Sequence, residues 1–132
     1  MFKIQAVIYR IKNKKILLLK RKNSEWHLLT GNVEEYESIL SALRREIFEE
    51  TGIKEIKKLI FLDRYLFEKN HTNFIEYSYA VVVPENTEIT FEYNPYQEHI
   101  DYKWVEYKES LNLLKWDIQK KSVVKLNKLI TQ

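Results

Sequence analysis

The pattern of apolar and polar positions along the chain first predicts a group of strands. Phe2–Arg10 and residues 15–22 are rich in apolar and β-branched residues, and the polar residues 12–14 between them predict a hairpin. Residues 74–83 alternate at first and become continuously apolar toward their end, which is typical of a central strand buried on both faces. Pro84 then ends that strand, because proline cannot donate to a sheet ladder.

Less regular apolar segments complete the predicted sheet. Residues 55–69 hold two apolar clusters and are interpreted as one bent or bulged strand, which a polar turn at residues 70–73 joins to the central strand. Residues 26–29 form a short apolar run, residues 88–92 are a short strand candidate, and residues 100–107 are interpreted as the last strand.

Two further segments repeat their apolar residues at the helical period. The first opens near Glu37 and stops at Gly52, a residue type that is common just after helix C-termini. The second covers residues 118–130, with Asp117 as its N-cap. Its charges do not alternate with aromatic residues, so it is interpreted as a core-packing helix rather than a nucleic-acid helix. Residues 109–114 can form one or two helical turns.

Along one side of the first helix, the residues change from apolar to acidic. Apolar residues occupy that side in its first half and glutamates continue it in the second half: Ile39, Ala42, Leu43, Glu46, Glu49 and Glu50. Such mutually repelling carboxylates normally lie on the solvated side, so a cation such as Mg²⁺ or Mn²⁺ is expected beside them. Arg45 lies four residues before Glu49 and can pair with it. From these residues alone, a solvated acidic face with one salt bridge remains the alternative.

The spacing around this helix resembles the signature of a known family. Gly31, five residues, Glu37, seven residues and then R-E-I-F-E-E-T-G-I, ending at Ile53, match the Nudix box at each of its defined positions. At about 7% usage per fixed residue, a chance match is on the order of 10⁻⁹ per start site. The resemblance implies one Nudix hydrolase domain over residues 1–132, with an α+β fold in which a mixed β-sheet is sandwiched between α-helices.

The resemblance also implies an activity and a set of site residues. The activity is Mg²⁺-dependent cleavage of a diphosphate linked to another group, with Mn²⁺ able to substitute. By this resemblance three glutamates are metal ligands, Gly31 offers its carbonyl to a metal, Arg45 orients a glutamate and Glu37 supports the loop and helix. The three ligands are Glu46, Glu49 and Glu50. Glu49 or Glu50 is also a candidate general base that takes a proton from water.

Two stretches outside the helix resemble one sub-family, the dATP and dihydroneopterin triphosphate pyrophosphatases. These are T-G-N-V-E-E after Trp26, and E-H-x-x-Y-x-W starting at Glu98. The sub-family implies attack at the α-phosphorus, which releases a monophosphate and pyrophosphate, and it implies that Glu98 faces the metals as a ligand or base. The alternatives are a surface loop position for Glu98 and a packed or hydrogen-bonded role for His99.

Basic and aromatic residues near the box supply candidate substrate contacts. Arg21, in the run of residues 20–22, can meet a substrate phosphate, unless this run is only a solubilising edge. Aromatic rings can stack on a base or pterin ring, although most of them must be core residues. The aromatic candidates are Trp26, Tyr36, Phe74, Tyr77 and Tyr96.

Composition limits the classes of function. A chain of 132 residues with 45% apolar residues fits one globular domain, and the absence of cysteine excludes disulfides and thiolate zinc sites. No apolar run is long enough for a signal peptide or membrane span, so we expect a cytoplasmic protein with no membrane partner. A net charge of +3 does not require nucleic acid and suits a small phosphorylated substrate. Nothing in the sequence specifies an oligomeric state.

Two rival functions stay open at this point. One is a Nudix enzyme that acts on dinucleoside polyphosphates or on RNA 5′ ends. The other is a Nudix-fold binding module without catalysis. The intact set of glutamates favours an enzyme over the binding module, because a module has no evident need for mutually repelling carboxylates.

Overall fold

A computed structural model describes residues 1–131, which form a mixed sheet with three helices. The strands are β1 Phe2–Arg10, β2 Ile16–Arg21, β3 Trp26–His27, β4 Leu29–Asn32, β5 Lys58–Lys69, β6 Thr72–Val83 and β7 His99–Val105. The helices are α1 Ile39–Thr51, α2 Tyr107–Leu113 and α3 Asp117–Ile130. Within residues 1–131, no helix has the length and apolar character needed to cross a membrane.

Strand β1 lies at the centre of the sheet. It pairs in parallel with β6 and antiparallel with β2 and β4. Strand β7 pairs antiparallel with β2. The main strand order is β3-β2-β1-β6-β5. The continuously apolar end of β6 is buried on both faces beside β1, which confirms the central strand predicted from its composition.

The sheet is packed between helices, as the predicted fold class requires. On one face, apolar residues of β1 and β2 contact α1, and this layer includes Ile4, Ile8, Leu43 and Ile47. On the other face, the alternate residues of the same strands contact α3, and this layer includes Val7, Leu18, Val123 and Leu126. Each fully buried aliphatic side chain contributes about 1.5–3 kcal/mol to stability. Because helices cover both faces of the sheet, the predicted α+β sandwich is confirmed.

Helix α1 begins two residues later than predicted. Ser38 is its N-cap, and its side chain accepts a hydrogen bond from Ser41 N at 3.1 Å. Glu37 consequently lies outside the helix. The predicted end is confirmed, because Gly52 has φ of 75° and its N–H donates to Phe48 O at 2.8 Å.

Two other local predictions are wrong. Residues 88–92 form no strand, because Ile89 and Phe91 anchor this segment by packing on the α1 side of the core, while Thr90 N donates to Thr51 O at 2.9 Å. Asp117 is not an N-cap, because helix α3 starts at Asp117 itself, one residue before the predicted start at residue 118. Trp116 occupies the cap position without a side-chain hydrogen bond.

The remaining boundaries differ in detail from the predictions. The apolar run at residues 26–29 is divided between the short strands β3 and β4. Strand β5 begins at Lys58, and its register against β6 shifts between Phe61 and Asp63. That shift confirms the predicted bulge.

The left-handed conformation of Gly52 yields a stability prediction. A Cβ at this position would lie 2.4 Å from Thr90 Cγ2, and a side chain in this conformation costs about 1–2 kcal/mol. We expect Gly52→Ala to lower the free energy of unfolding by at least about that amount in urea titrations. Gly52→Asn should lose less, because asparagine tolerates this conformation better, and equal stability of Gly52→Ala and the wild type would contradict the assignment.

Candidate active site

Glycine at position 31 allows strand β4 to lie directly against helix α1. Gly31 pairs with Ile4 of β1, on the sheet face that α1 covers. A Cβ built on Gly31 would lie 2.4 Å from Glu46 Cδ and 2.7 Å from its Oε2. Any larger residue would displace this carboxylate, so the glycine holds the acidic end of α1 close to the strand.

Arg45 joins the acidic end of α1 to the loop before it. Its Nε and Nη2 donate to the two carboxylate oxygens of Glu37 at 2.7 and 2.9 Å. Its Nη1 donates to Glu46 Oε1 at 2.9 Å and to Glu49 Oε2 at 3.3 Å, which is the pairing expected from their spacing. Nη2 also donates to Asn32 O at 2.9 Å. One guanidinium therefore orients three carboxylates and a backbone carbonyl.

Glu37 links this arrangement to the loop backbone. Its Oε1 also accepts a hydrogen bond from Glu34 N at 2.9 Å. The hydrogen bonds from Arg45 lower the pKa of Glu37, so its carboxylate stays charged at neutral pH. The same pairing raises the pKa of Arg45. This geometry agrees with the supporting role that the family resemblance implies for Glu37.

Glu50 is the most deeply buried of the three helix glutamates. The residue is only 6% exposed, and no group within residues 1–131 donates a hydrogen bond to its Oε2. Burial, followed by the charges of Glu46 and Glu98, raises its pKa to about 9. A buried carboxylate oxygen without a hydrogen bond is uncommon in proteins and fits coordination of a cation.

The loop before β7 brings Glu98 to the end of α1. Asn94 Oδ1 accepts hydrogen bonds from Tyr96 N at 3.0 Å and from Gln97 N at 3.2 Å, which holds the turn in place. Ligand atoms of Glu50, Glu98 and His99 all lie within 4.8 Å of one another. The exposed Glu98 thus adds a fourth carboxylate to the helix cluster. The Asn94 anchor was not predicted, although asparagine in a turn is a known signal for such bonds.

His99 forms a buried pair with His27, a residue that sequence reasoning missed. His27 Nδ1 lies 2.6 Å from Leu28 O, and the two Nε2 atoms are 3.0 Å apart. Burial lowers the pKa of His27 to about 3 and that of His99 to about 4, so both are neutral near pH 7. When His27 donates to Leu28 O, its Nε2 accepts from His99. The packed, hydrogen-bonded alternative considered for His99 matches this geometry.

A cleft of about 420 Å³ opens above the carboxylates. Its walls carry both acidic and basic side chains, including Glu46, Glu49, Glu50, Glu98, Lys3 and Arg21. Arg21 thus lies where a phosphate contact was predicted, whereas Lys3 was not predicted. Lys3 was missed because only the pairing of β1 with β4 brings the chain's third residue beside Asn32.

The aromatic candidates are distributed unequally. Tyr96 lines the cleft, and Phe74 lines a neighbouring cavity. Trp26 instead packs on the α3 side of the core, Tyr36 is 100% exposed, and Tyr77 packs on the ring of Phe2. None of these three lines the cleft within residues 1–131. The structure therefore does not bring the predicted contacts Trp26 and Tyr36 to the site.

Comparison with known proteins identifies the family. A family model described as the NUDIX domain matches residues 1–126. The chain belongs to the Nudix family. The dihydroneopterin triphosphate diphosphatase of Escherichia coli K12 is 32% identical over 114 residues, which covers 78% of this chain and 76% of that protein. The family and this relative make the chain a Nudix pyrophosphohydrolase, which confirms the predicted enzyme class.

Solved structures of Nudix enzymes share the fold. The dihydroneopterin triphosphate pyrophosphohydrolase of E. coli has a TM-score of 0.78 and 27% identity, and the match covers 92% of this chain and 91% of that one. An Ap4A hydrolase of C. elegans in a binary complex has a TM-score of 0.81 and 18% identity, over 98% of this chain and 97% of that one. The second likeness extends to the fold alone.

The buried position of Glu50 yields a prediction about pH. In metal-free protein between about pH 7.5 and pH 8.5, the folded state retains the proton on Glu50 and the unfolded state has lost it. This residue's contribution to stability is therefore complete below its unfolded pKa near 4.5 and falls as the pH rises toward 9. We expect a loss of about 1.4 kcal/mol per pH unit from this residue in urea titrations with chelator.

The control for this prediction is a second glutamate variant. Glu50→Gln should remove most of the pH dependence, whereas Glu55→Gln, which changes an exposed glutamate outside the cleft, should keep the wild-type slope. The two buried histidines do not contribute in this pH range, because they are neutral in both states. An equal slope for Glu50→Gln and the wild type would refute the assignment.

Proposed function

We propose that this enzyme hydrolyses a nucleoside or pterin triphosphate to the monophosphate and pyrophosphate, with Mg²⁺ as cofactor. The observation that carries the proposal is the cluster of four carboxylates at a cleft that also presents Arg21 and Lys3. This combination suits a polyanionic substrate bound together with a metal. The E. coli relative named for dihydroneopterin triphosphate supports a triphosphate substrate.

The residues at the cleft fit a hard divalent cation. The three helix glutamates and the Gly31 carbonyl would hold it, and all of these ligands are oxygen donors. The buried Glu50 Oε2, which has no hydrogen bond, would gain a partner. When bound, Mg²⁺ supplies charge withdrawal from the phosphate oxygens and lowers the pKa of a coordinated water. Mn²⁺ meets the same requirements.

Arg45 orients two of the metal-binding glutamates. It fixes Glu46 and Glu49 before any ligand arrives, so little reorganisation is needed during the reaction. Arg21 and Lys3 also line the cleft, and their charges suit them to bind phosphate oxygens. In this proposal the glutamates hold the cofactor, and Arg21 and Lys3 hold the substrate.

Glu98 is the favoured general base among the glutamates. Glu50 is buried beneath the cleft, and Glu49 is bound by Arg45, so both are constrained. Glu98 is exposed at the cleft, and it takes no part in the bonds by which Arg45 holds Glu37, Glu46 and Glu49. It can therefore accept the proton of an attacking water while the other carboxylates remain in place.

The direct test is a panel of substrates with Mg²⁺, scored for released pyrophosphate and, for Ap4A, for released ATP and AMP. The panel contains nucleoside triphosphates, dihydroneopterin triphosphate, Ap4A and RNA with a 5′ triphosphate. We expect turnover of one or more small triphosphates with Mg²⁺ or Mn²⁺, little with Ca²⁺, and none after chelation. Glu49→Gln should abolish turnover without loss of metal-free stability, because repulsion is relieved, whereas Glu55→Gln should behave as the wild type. Turnover after complete chelation, or turnover of Ap4A alone, would contradict the proposal.

The role of Glu98 has a separate test. We expect Glu98→Gln to lower kcat by roughly 10²-fold or more with a smaller change in KM, because general-base help is lost. The pH–rate profile should lose its acidic limb. Glu92→Gln, which changes an exposed glutamate outside the cleft, is the matched control. A retained acidic limb with weaker Mg²⁺ activation would make Glu98 a metal ligand and exclude it as the base.

A further inference from the structure

A second and larger cavity adjoins the catalytic cleft. Its volume is about 920 Å³, and it shares four lining residues with the cleft, namely Lys3, Arg21, Thr30 and Asn32. A substrate whose phosphates lie among the carboxylates and Arg21 would therefore extend its organic group into this cavity. The residues lining the cavity then decide which organic group is accepted.

A buried glutamate lines this cavity. Glu76 of β6 is only 2% exposed, and its Oε2 accepts a hydrogen bond from Gln5 Nε2 at 2.9 Å. Burial raises its pKa to about 7, against the opposing effects of Lys3 and Gln5. No donor within residues 1–131 meets its second oxygen, Oε1. A carboxyl group is costly in such a place, and a smaller polar residue would satisfy Gln5 equally well.

A chain of hydrogen bonds holds this glutamate in one orientation. Ser78 Oγ donates to Gln5 Oε1 at 2.8 Å, so the amide nitrogen of Gln5 must face Glu76. Ser122 Oγ continues the chain at 2.7 Å from Ser78 Oγ and 3.0 Å from Tyr65 OH. The glutamate is thereby oriented before a ligand binds, which reduces the entropy cost of recognition.

The other lining residues suit a flat ring with a polar edge. Phe74 and Trp116 supply aromatic surfaces, and Phe67 stacks on Phe74 with ring centroids 5.2 Å apart. Gln119 also lines the cavity, and its Oε1 is occupied by a hydrogen bond from Leu28 N at 2.9 Å. Its amide nitrogen is therefore the part that remains to donate. The cavity thus presents one oriented carboxyl group, whose Oε1 has no donor within residues 1–131, and one amide donor.

Resting on the proposed function, we propose that Glu76 determines specificity by accepting hydrogen bonds from the amino group and adjacent ring N–H of a 2-amino-4-oxopyrimidine. Guanine and the pterins share this edge, which presents two neighbouring donors followed by a carbonyl acceptor. The donors match the Glu76 carboxylate, and the carbonyl matches the amide of Gln119. Adenine presents a ring acceptor at the corresponding position, which repels the ionised carboxylate of Glu76 and can pair only with its protonated form.

The test compares substrates that differ by one amino group. For the wild type, kcat/KM should be about 10- to 100-fold higher for dGTP than for dITP, which lacks the 2-amino group. Glu76→Gln should reduce this ratio to less than about threefold, whereas Glu68→Gln, which changes an exposed glutamate at the same cavity, should retain it. Including dihydroneopterin triphosphate and dATP shows whether a pterin or a guanine nucleotide is preferred and whether adenine is rejected.

Binding of dGMP and dIMP, measured by calorimetry, separates this inference from the proposed function. If no triphosphate is hydrolysed but dGMP binds more tightly than dIMP in a way that depends on Glu76, the function fails and the inference stands. Equal kcat/KM for dGTP and dITP in the wild type, a higher value for dATP, or an unchanged ratio in folded Glu76→Gln would overturn the inference. Thermal unfolding establishes that the variant is folded.

Discussion

The bonds of Arg45 to its surrounding carboxylates are the interaction on which the site depends. Without this guanidinium, Glu37, Glu46 and Glu49 would repel one another in a partly buried space. Arg45 also binds the carbonyl of Asn32, so the strand β4 and the start of the box are fixed to the same side chain. Backbone position and carboxylate orientation are thus set together, and the close approach of Gly31 to Glu46 follows from both.

The alternation of side chains along β1 and β4 determines which residues lie toward helix α1 and which line the larger cavity. Gly31 pairs with Ile4 and lies toward α1, whereas Thr30 pairs with Gln5 in the next register position and faces the opposite way. Thr30 and Asn32 line both the cleft and the larger cavity. Strands β1 and β4 therefore supply the boundary between the place where phosphates would lie and the place where a ring would lie.

The sequence predicted the features that depend on local spacing and missed those that depend on distant pairing. The end of α1 at Gly52 and the reach from Arg45 to Glu49 follow from helix geometry. The contact between Gln5 and Glu76 joins residues 71 positions apart, and no periodicity reports it. Residues 88–92 were mistaken for a strand because alternating apolar residues also occur where a loop is anchored to a core.

With the proposed cation bound, the buried Glu50 carboxyl, whose Oε2 has no hydrogen-bond partner within residues 1–131, would link the enzyme's lifetime to the supply of that cation. A cation that binds the folded chain and ignores the unfolded chain adds about 2.7 kcal/mol when its concentration is a hundred times its dissociation constant. Burial of Glu50, and after it the charges of Glu46 and Glu98, weaken the metal-free protein, so unfolding and proteolysis would fall mainly on molecules without metal. The same side chain that prepares the site for chemistry would then make the abundance of the enzyme respond to the free divalent ion around it.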